Sequence, residues 1–251
     1  NRRSRGLGDV YKRQEPLRAL IIWYAASPPI GTTIWMCVFL GFSAPIAMEI
    51  VLLTNLLAPF TGPFIGELLL GTAVPLSMVT LSFRLGAILF GGVLVALVAK
   101  WWLGESRINA NRGRLDGIAI LLMLAFLLPV FDGVSAMVFT APLLALGLAG
   151  LAAALNFGHQ ASIFLGGRLL AALRRQSSLP DGTRSVAVVS GNRNLGLYFA
   201  ALPADPLFSL FVAAYQIPIY LTPMIAGWFG DRDDRADRAD RKHHRGNSAG
   251  R

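Results

Sequence analysis

Ser185-Val-Ala-Val-Val-Ser190-Gly-Asn-Arg-Asn194-Leu-Gly-Leu-Tyr-Phe-Ala-Ala-Leu-Pro203 is apolar at both ends and polar within. Its length matches the roughly 20 residues that a helix needs to cross a bilayer core. Ser190, Gly191, Asn192, Arg193 and Asn194 follow one another about a third of the way along it. An arginine near mid-span costs about 2.5 to 3.5 kcal/mol on insertion scales, so it requires a partner or a water-filled pocket. The helix is expected to break here. Broken backbone at membrane depth is tolerated only where protein buries it or where it lines a cavity.

A second break of this kind lies in the first apolar stretch, at Ala26-Ser27-Pro28-Pro29-Ile30-Gly31-Thr32-Thr33. Each proline lacks a backbone donor and clashes with the carbonyl one turn back. The helix is expected to unwind near Pro28-Pro29, which would leave free carbonyls and the Thr32 and Thr33 hydroxyls as candidate ligands. Around the two breaks the chain supplies seven apolar stretches, approximately 17–42, 44–69, 84–103, 115–131, 136–165, 185–203 and 206–229, and a shorter run at 74–83 that reads as interfacial. Of the 251 residues 54% are hydrophobic and 15% are charged, against roughly 25% charged in soluble domains. Mean hydropathy is +0.55. These values exclude an ordinary soluble domain and, with the two breaks, predict an all-α integral membrane protein, a multi-span helical bundle with two discontinuous helices.

The formal charge of +9 does not mark a nucleic-acid partner, because much of the excess lies at the two ends. Residues 1–14 hold five basic side chains against one acidic, and residues 231–251 hold seven against five. Asn1 to Gln14 lacks the apolar core and cleavage site of a secretory signal. It reads as a translated sequencing adapter, with a natural basic arm at a membrane surface as the alternative. Residues 230–251 alternate in sign without large apolar side chains and are expected to form a disordered cytoplasmic tail. The adjacent His243 and His244 on that tail are read as solvated. Residues 15–229 remain as the membrane domain. Within it Lys100, Arg107, Arg112 and Arg114 mark one connection and Arg168, Arg174, Arg175 and Arg184 another, both expected on the cytoplasmic side. The connections near Asp132 and at Ala204-Asp205-Pro206 carry no basic residue and are expected to face outward. Trp101-Trp102 and Trp228 read as interfacial anchors. One cysteine, Cys37, excludes an internal disulfide framework and a Cys-based zinc site.

Two discontinuous helices with polar groups near mid-membrane form the pattern of inverted-repeat secondary transporters. There, half-helix N-termini face an anion and the opposite ends present carbonyls to a cation. The candidate substrate-binding residues are Thr32, Thr33, Asn192, Arg193 and Asn194, with Pro28, Pro29 and Gly191 at the breaks. Thr32, Thr33, Ser190 and Asn194 are the candidate ion ligands. Other polar residues read as structural: Arg84 is expected to snorkel to the interface, and His159 and Gln160 to hydrogen-bond between helices. Glu49 and Glu67 read as interfacial, with a proton-relaying Glu49 as the alternative. Thr54 and Asn55 either pack between helices or face the breaks. Small-residue spacing at Gly86/Ala87, Gly91/Gly92 and Gly147 to Gly150 predicts close helix packing, and Pro59, Gly62 and Pro63 predict a bent helix. A membrane-embedded hydrolase using Ser190 or Ser162 with His159 is a competing class, as is a signalling or assembly module with the tail as its binding element. The chain has no G-x-S-x-G elbow, no H-E-x-x-H and no acidic metal cluster, so it is not expected to be an enzyme.

Ala26-Ser27-Pro28-Pro29, Thr54-Asn55-Leu56-Leu57-Ala58-Pro59 and Ser190-Gly191-Asn192-Arg193-Asn194-Leu195-Gly196-Leu197, followed by Ala200-Ala201-Leu202-Pro203, resemble the bile acid:sodium symporter family in its prokaryotic branch. The resemblance covers residues 17–229. It implies a ten-span carrier of the bacterial cytoplasmic membrane with a panel and a core domain, of which this chain matches the fourth to tenth spans. Without the first three it is expected to be inactive alone. The implied activity is alternating-access transport of an organic anion, bile-acid-like or a small carboxylate or sulfonate. The implied partners are that anion and lipid, with no nucleic acid, no metal, and no cofactor beyond sodium (Na+) as coupling ion. Sodium-coupled members show Gly-Gly-x-x-Ser-Asn in the first crossing helix, where this chain reads Pro28-Pro29-Ile30-Gly31-Thr32-Thr33. In the second they show Glu followed four residues later by Gln-Asn, where this chain reads Val189 and then Arg193-Asn194. A ligating carboxylate is gone and a cation has arrived; a guanidinium at 4 Å opposes a sodium ion by about 4 kcal/mol at an effective dielectric of 20. Two-sodium coupling is therefore not expected. Arg193 is expected to pair the substrate's carboxylate or sulfonate, or to stand in for a bound sodium. An arsenite-type carrier of the same superfamily would need a reactive cysteine in the first crossing helix, for which Cys37 is the candidate.

Overall fold

The computed structural model describes residues 16–71, 76–176, 179 and 182–226; the adapter-like segment 1–14, Trp228 and the tail 230–251 lie outside them. Of the described residues 86% are helical, and their β geometry is confined to one isolated bridge. In chain order the helices are α1 (Pro16–Ala26), α2 (Thr32–Phe39), α3 (Ala44–Leu70), α4 (Met78–Leu103), α5 (Glu105–Ala110), α6 (Arg112–Phe131), α7 (Val134–Thr140), α8 (Pro142–Leu173), α9 (Thr183–Gly191), α10 (Leu195–Ala201) and α11 (Pro206–Ala226). Five segments are long and apolar enough to cross a membrane: Ala44–Leu70, Met78–Leu103, Arg112–Thr140, Pro142–Leu173 and Pro206–Ala226. The other two apolar stretches are each divided, α1 from α2 around Pro28-Pro29 and α9 from α10 at Asn192 to Asn194. The chain is an all-α, multi-pass membrane protein.

Two boundaries differ from the sequence reading. The run at 74–83 is not a separate interfacial piece: from Met78 onward it belongs to α4, whose N-cap Ser77 accepts a bond from the Thr80 N–H at 3.2 Å. The fourth and fifth stretches are separated twice. Asp132 and Gly133, the latter at φ +70, end α6, and Ala141 leaves the helical region before Pro142 opens α8. Proline suits the first helical position and pushes its predecessor toward extended backbone, which sets the second break.

The chain divides into two compact units. The first takes in the described parts of 1–28, 54–149 and 194–214. Within it Tyr198 is fully buried, its ring 5.2 Å from that of Trp23 and its hydroxyl donating to Ala26 O at 3.3 Å. Gly62 and Gly66, one turn apart on α3, give these two rings their room: a Cβ on Gly62 would fall on the Tyr198 hydroxyl and one on Gly66 on the Trp23 ring. Close packing thus sits at Gly62 and Gly66, not at Gly91, Gly92, Gly147 or Gly150, beside which a Cβ would meet nothing within 4 Å. Arg84 does not simply snorkel; its guanidinium donates to Ala201 O at 3.0 Å and closes the C-terminus of α10. A cation there also complements the helix dipole. Asp205 caps α11, its carboxylate accepting from Leu207 N–H at 2.8 Å, and Pro206 takes the first helical position. On α4 only Leu81 and Leu85 are buried, while Val79, Phe83, Trp101 and Trp102 are more than three-quarters exposed. Such a surface would be a liability in water and is at home in hydrocarbon. At the end of α4 Lys100 pairs with Glu105 and holds its carboxyl below the ordinary range.

The second unit takes in 29–53, 150–193 and the described residues from 215. Its apolar core joins Cys37 of α2, Ala47 and Val51 of α3 and Val188 and Val189 of α9. Gly182 turns the chain into α9 at φ +79, with Ile46 where a Cβ would lie, so both the left-handed backbone and the close approach ask for glycine.

Candidate functional site at the helix breaks

Helix α9 ends at Gly191, where Asn192 adopts extended backbone (φ −98, ψ 91) and its side-chain amide donates back to Val188 O at 2.7 Å. Arg193 then faces Pro29 in an antiparallel bridge. Ile30 N–H donates to Asn192 O at 2.9 Å and, within the first unit, Asn194 N–H donates to Pro28 O at 2.7 Å. This is the arrangement of a non-hydrogen-bonded antiparallel pair, in which the two facing residues exchange no bonds of their own. Pro29 has no N–H to offer and loses nothing in that place.

Behind the bridge the second unit gathers polar side chains on the inner faces of α8 and α11. Asn156, Asn192, Tyr215 and Thr222 are fully buried, and Gln160 is half-buried. The Asn156 amide donates to Gly191 O at 2.9 Å and to Asn192 Oδ1 at 3.1 Å, and Thr222 Oγ1 reaches the same Oδ1 at 3.1 Å. Gln160 Nε2 donates to Asn156 Oδ1 at 2.6 Å and to Thr222 Oγ1 at 3.1 Å. The Tyr215 hydroxyl donates to Gly191 O and accepts from Arg193 N–H at 3.1 Å. Buried polar groups must be satisfied, and in this cluster each group closes another's valence.

The expectation of free carbonyls at the breaks is corrected by these bonds. Pro28 O, Ile30 O, Gly191 O and Asn192 O all accept hydrogen bonds, because the bridge and the buried cluster replace the helical partners that the breaks removed. The structure brings Pro29, Ile30, Gly191, Asn192 and Arg193 together. Thr33 is fully buried and its hydroxyl donates to Ile30 O at 2.7 Å, whereas Thr32 is exposed. Ser190 is half-buried with its hydroxyl on Ala187 O at 2.9 Å, and Asn194 is half-buried in the first unit. Arg193 itself is half-buried, two residues beyond the negative end of the α9 dipole, a favourable place for a cation. His159 is exposed. A Cβ on Gly191 would strike Gln160 and the Asn156 carbonyl, so glycine there is a packing requirement. Ser162, like Ser190, turns its hydroxyl to a carbonyl of its own helix, Gly158 O at 2.7 Å. Cys37 is fully buried, and Glu49 is exposed.

Gln160 hydrogen-bonds between helices as expected, but Asn156, Tyr215 and Thr222 escaped the sequence reading. A signal was present: Asn156 and Gln160 are four residues apart, Tyr215 and Thr222 seven, so each pair shares one face of an otherwise apolar helix. No protein-family model matches the chain, and no curated protein matches it.

Proposed function

We propose that the protein is a secondary active transporter of an organic anion, a bile-acid-like molecule or a small carboxylate or sulfonate, resembling the bile acid:sodium symporters, with Arg193 as the anion-binding cation. The observation that carries this reading is the meeting of two helix breaks at the Pro29–Arg193 bridge in a chain of membrane-length apolar helices. Backbone that leaves helical geometry at membrane depth is kept where a solute path needs it, and an ionisable residue there marks a functional site. Arg193 is permanently charged, and its planar fork matches a carboxylate or sulfonate. In the second unit Ser190 and Thr32 supply neutral oxygens without a carboxylate, a poor set for sodium beside a guanidinium.

Proteoliposomes of the full ten-span protein that the resemblance implies, given taurocholate and a panel of 2-keto acids with and without sodium, test the reading. Uptake or binding of at least one anion is expected, without strict sodium dependence. Arg193→Ala is expected to weaken it about tenfold or more, the scale of one charged hydrogen bond, and Arg193→Lys to retain part. Strictly sodium-dependent uptake that survives Arg193→Ala, or a panel in which no anion is moved or bound, overturns the proposal.

A further inference from the structure

Tyr215 fills a place in the backbone pattern that belongs to a further strand. In a non-hydrogen-bonded pair each residue turns its own N–H and C=O away from its mate. On the outer edge of the Arg193 segment the groups left to satisfy are the Arg193 N–H and, two residues earlier on the same side, the Gly191 C=O. A neighbouring strand would answer that couple with one acceptor and one donor. A phenol supplies both from a single atom, and the Tyr215 hydroxyl accepts from Arg193 N–H at 3.1 Å while donating to Gly191 O. Phenylalanine could do neither. Asn156 reinforces the arrangement, donating to Gly191 O at 2.9 Å and lying 3.3 Å from the Tyr215 hydroxyl. Both residues are fully buried, so bulk water does not compete for these bonds. The bonds grip the backbone that carries Arg193, and a long side chain magnifies any rotation of that backbone at its guanidinium, where a bidentate contact tolerates little error.

We propose that Tyr215 and Asn156 are positioning residues that set the direction in which Arg193 presents its guanidinium to an anionic ligand, an inference that rests on the transport reading above. Tyr215→Phe keeps the ring and removes only the hydroxyl. It is expected to fold, to keep maximal flux within about twofold and to raise KM for the transported anion about tenfold, the effect of one buried hydrogen bond. In an Arg193→Ala background the same change is expected to add nothing, because the group being aimed is gone. Gly62→Ala separates aiming from a general loss of stability: it overpacks the first unit against Tyr198 and touches neither Gly191 O nor Arg193 N–H, so its KM is expected to stay at the unmodified value. An unchanged KM in Tyr215→Phe, an equal loss in both backgrounds, or an equal rise in Gly62→Ala overturns the inference. Hydrogen exchange reads the backbone claim without any substrate. The amides of Arg193 and Ile30 are expected to exchange faster in Tyr215→Phe while those along α3 do not change. Unchanged exchange overturns the inference itself; faster exchange in a protein that moves no anion overturns the transport reading and leaves the backbone assignment standing.

Discussion

At the residue scale, Gly62 shows what a single missing methyl group holds open. Gly62→Ala would set a Cβ on the Tyr198 hydroxyl, in a place where Tyr198 is itself fixed by Trp23 and by its bond to Ala26 O. Overpacking of this kind costs about 1 to 3 kcal/mol, and Gly62→Ala is expected to lower the denaturation midpoint in detergent accordingly. Combining it with Tyr198→Phe removes the atom most deeply struck and leaves only the ring carbon at 2.9 Å, so the double variant is expected to be more stable than Gly62→Ala alone; a double variant that loses the sum of both single effects would refute the geometry. Gly91→Ala is the contrast. Nothing lies within 4 Å of a Cβ there, and alanine is favoured over glycine in a helix interior by about 1 kcal/mol, so the same assay is expected to show no loss. Glycines in the apolar helices were legible as candidates for close packing, but which of them carry a neighbour was not. Spacing says that a helix face is small, and only the approach of Tyr198 and Trp23 from elsewhere in the chain says that the face is used.

At the element scale, the two broken helices were legible because their causes are local. Consecutive prolines remove donors at Pro28 and Pro29, and an arginine among Asn192 and Asn194 cannot sit in a plain span. What holds the broken ends was not legible, since the partners come from α8 and α11, separated by 36 residues for Asn156–Asn192 and 30 for Asn192–Thr222. Long-range pairing of this sort leaves only a weak trace, a polar residue repeated on one face of an apolar helix. The end of α9 depends on it. Asn192→Ala would leave Val188 O without its side-chain donor and take one partner each from the Asn156 amide and the Thr222 hydroxyl, all in buried surroundings. Stranding one buried group costs about 1 to 3 kcal/mol, and Asn192→Ala is expected to lose at least that in thermal denaturation. Asn156→Ala in the same chain is expected to add less than its separate effect, because the two share partners. Strict additivity would mean that the cluster does not act as one network.

At the scale of the whole molecule, charge and geometry make the same demand of the first unit by independent routes. By the positive-inside rule the basic residues Lys100, Arg107, Arg112 and Arg114 are expected to put the connection after α4 on the cytoplasmic side, and the turn at Ala204-Asp205 carries no basic residue. The fold reaches that opposition without using charge. Arg84, near the start of α4, donates to Ala201 O, so the 202–205 turn lies at the Met78 end of that helix, while Ser106 lies beyond its other end. From Arg84 to Leu103 the helix rises about 29 Å at 1.5 Å per residue, close to the roughly 30 Å thickness of a hydrocarbon core. Cys37 is fully buried, which makes the native chain silent to a thiol reagent while folded. Single cysteines at Ser106 and Ala204, both exposed, are therefore expected to react with a membrane-impermeant maleimide from opposite sides: Ser106→Cys only in inside-out vesicles, Ala204→Cys only in intact cells. Labelling of both from one side would break the span assignment of α4. Labelling from opposite sides in the reverse sense would keep the fold and reverse the orientation that the basic residues dictate.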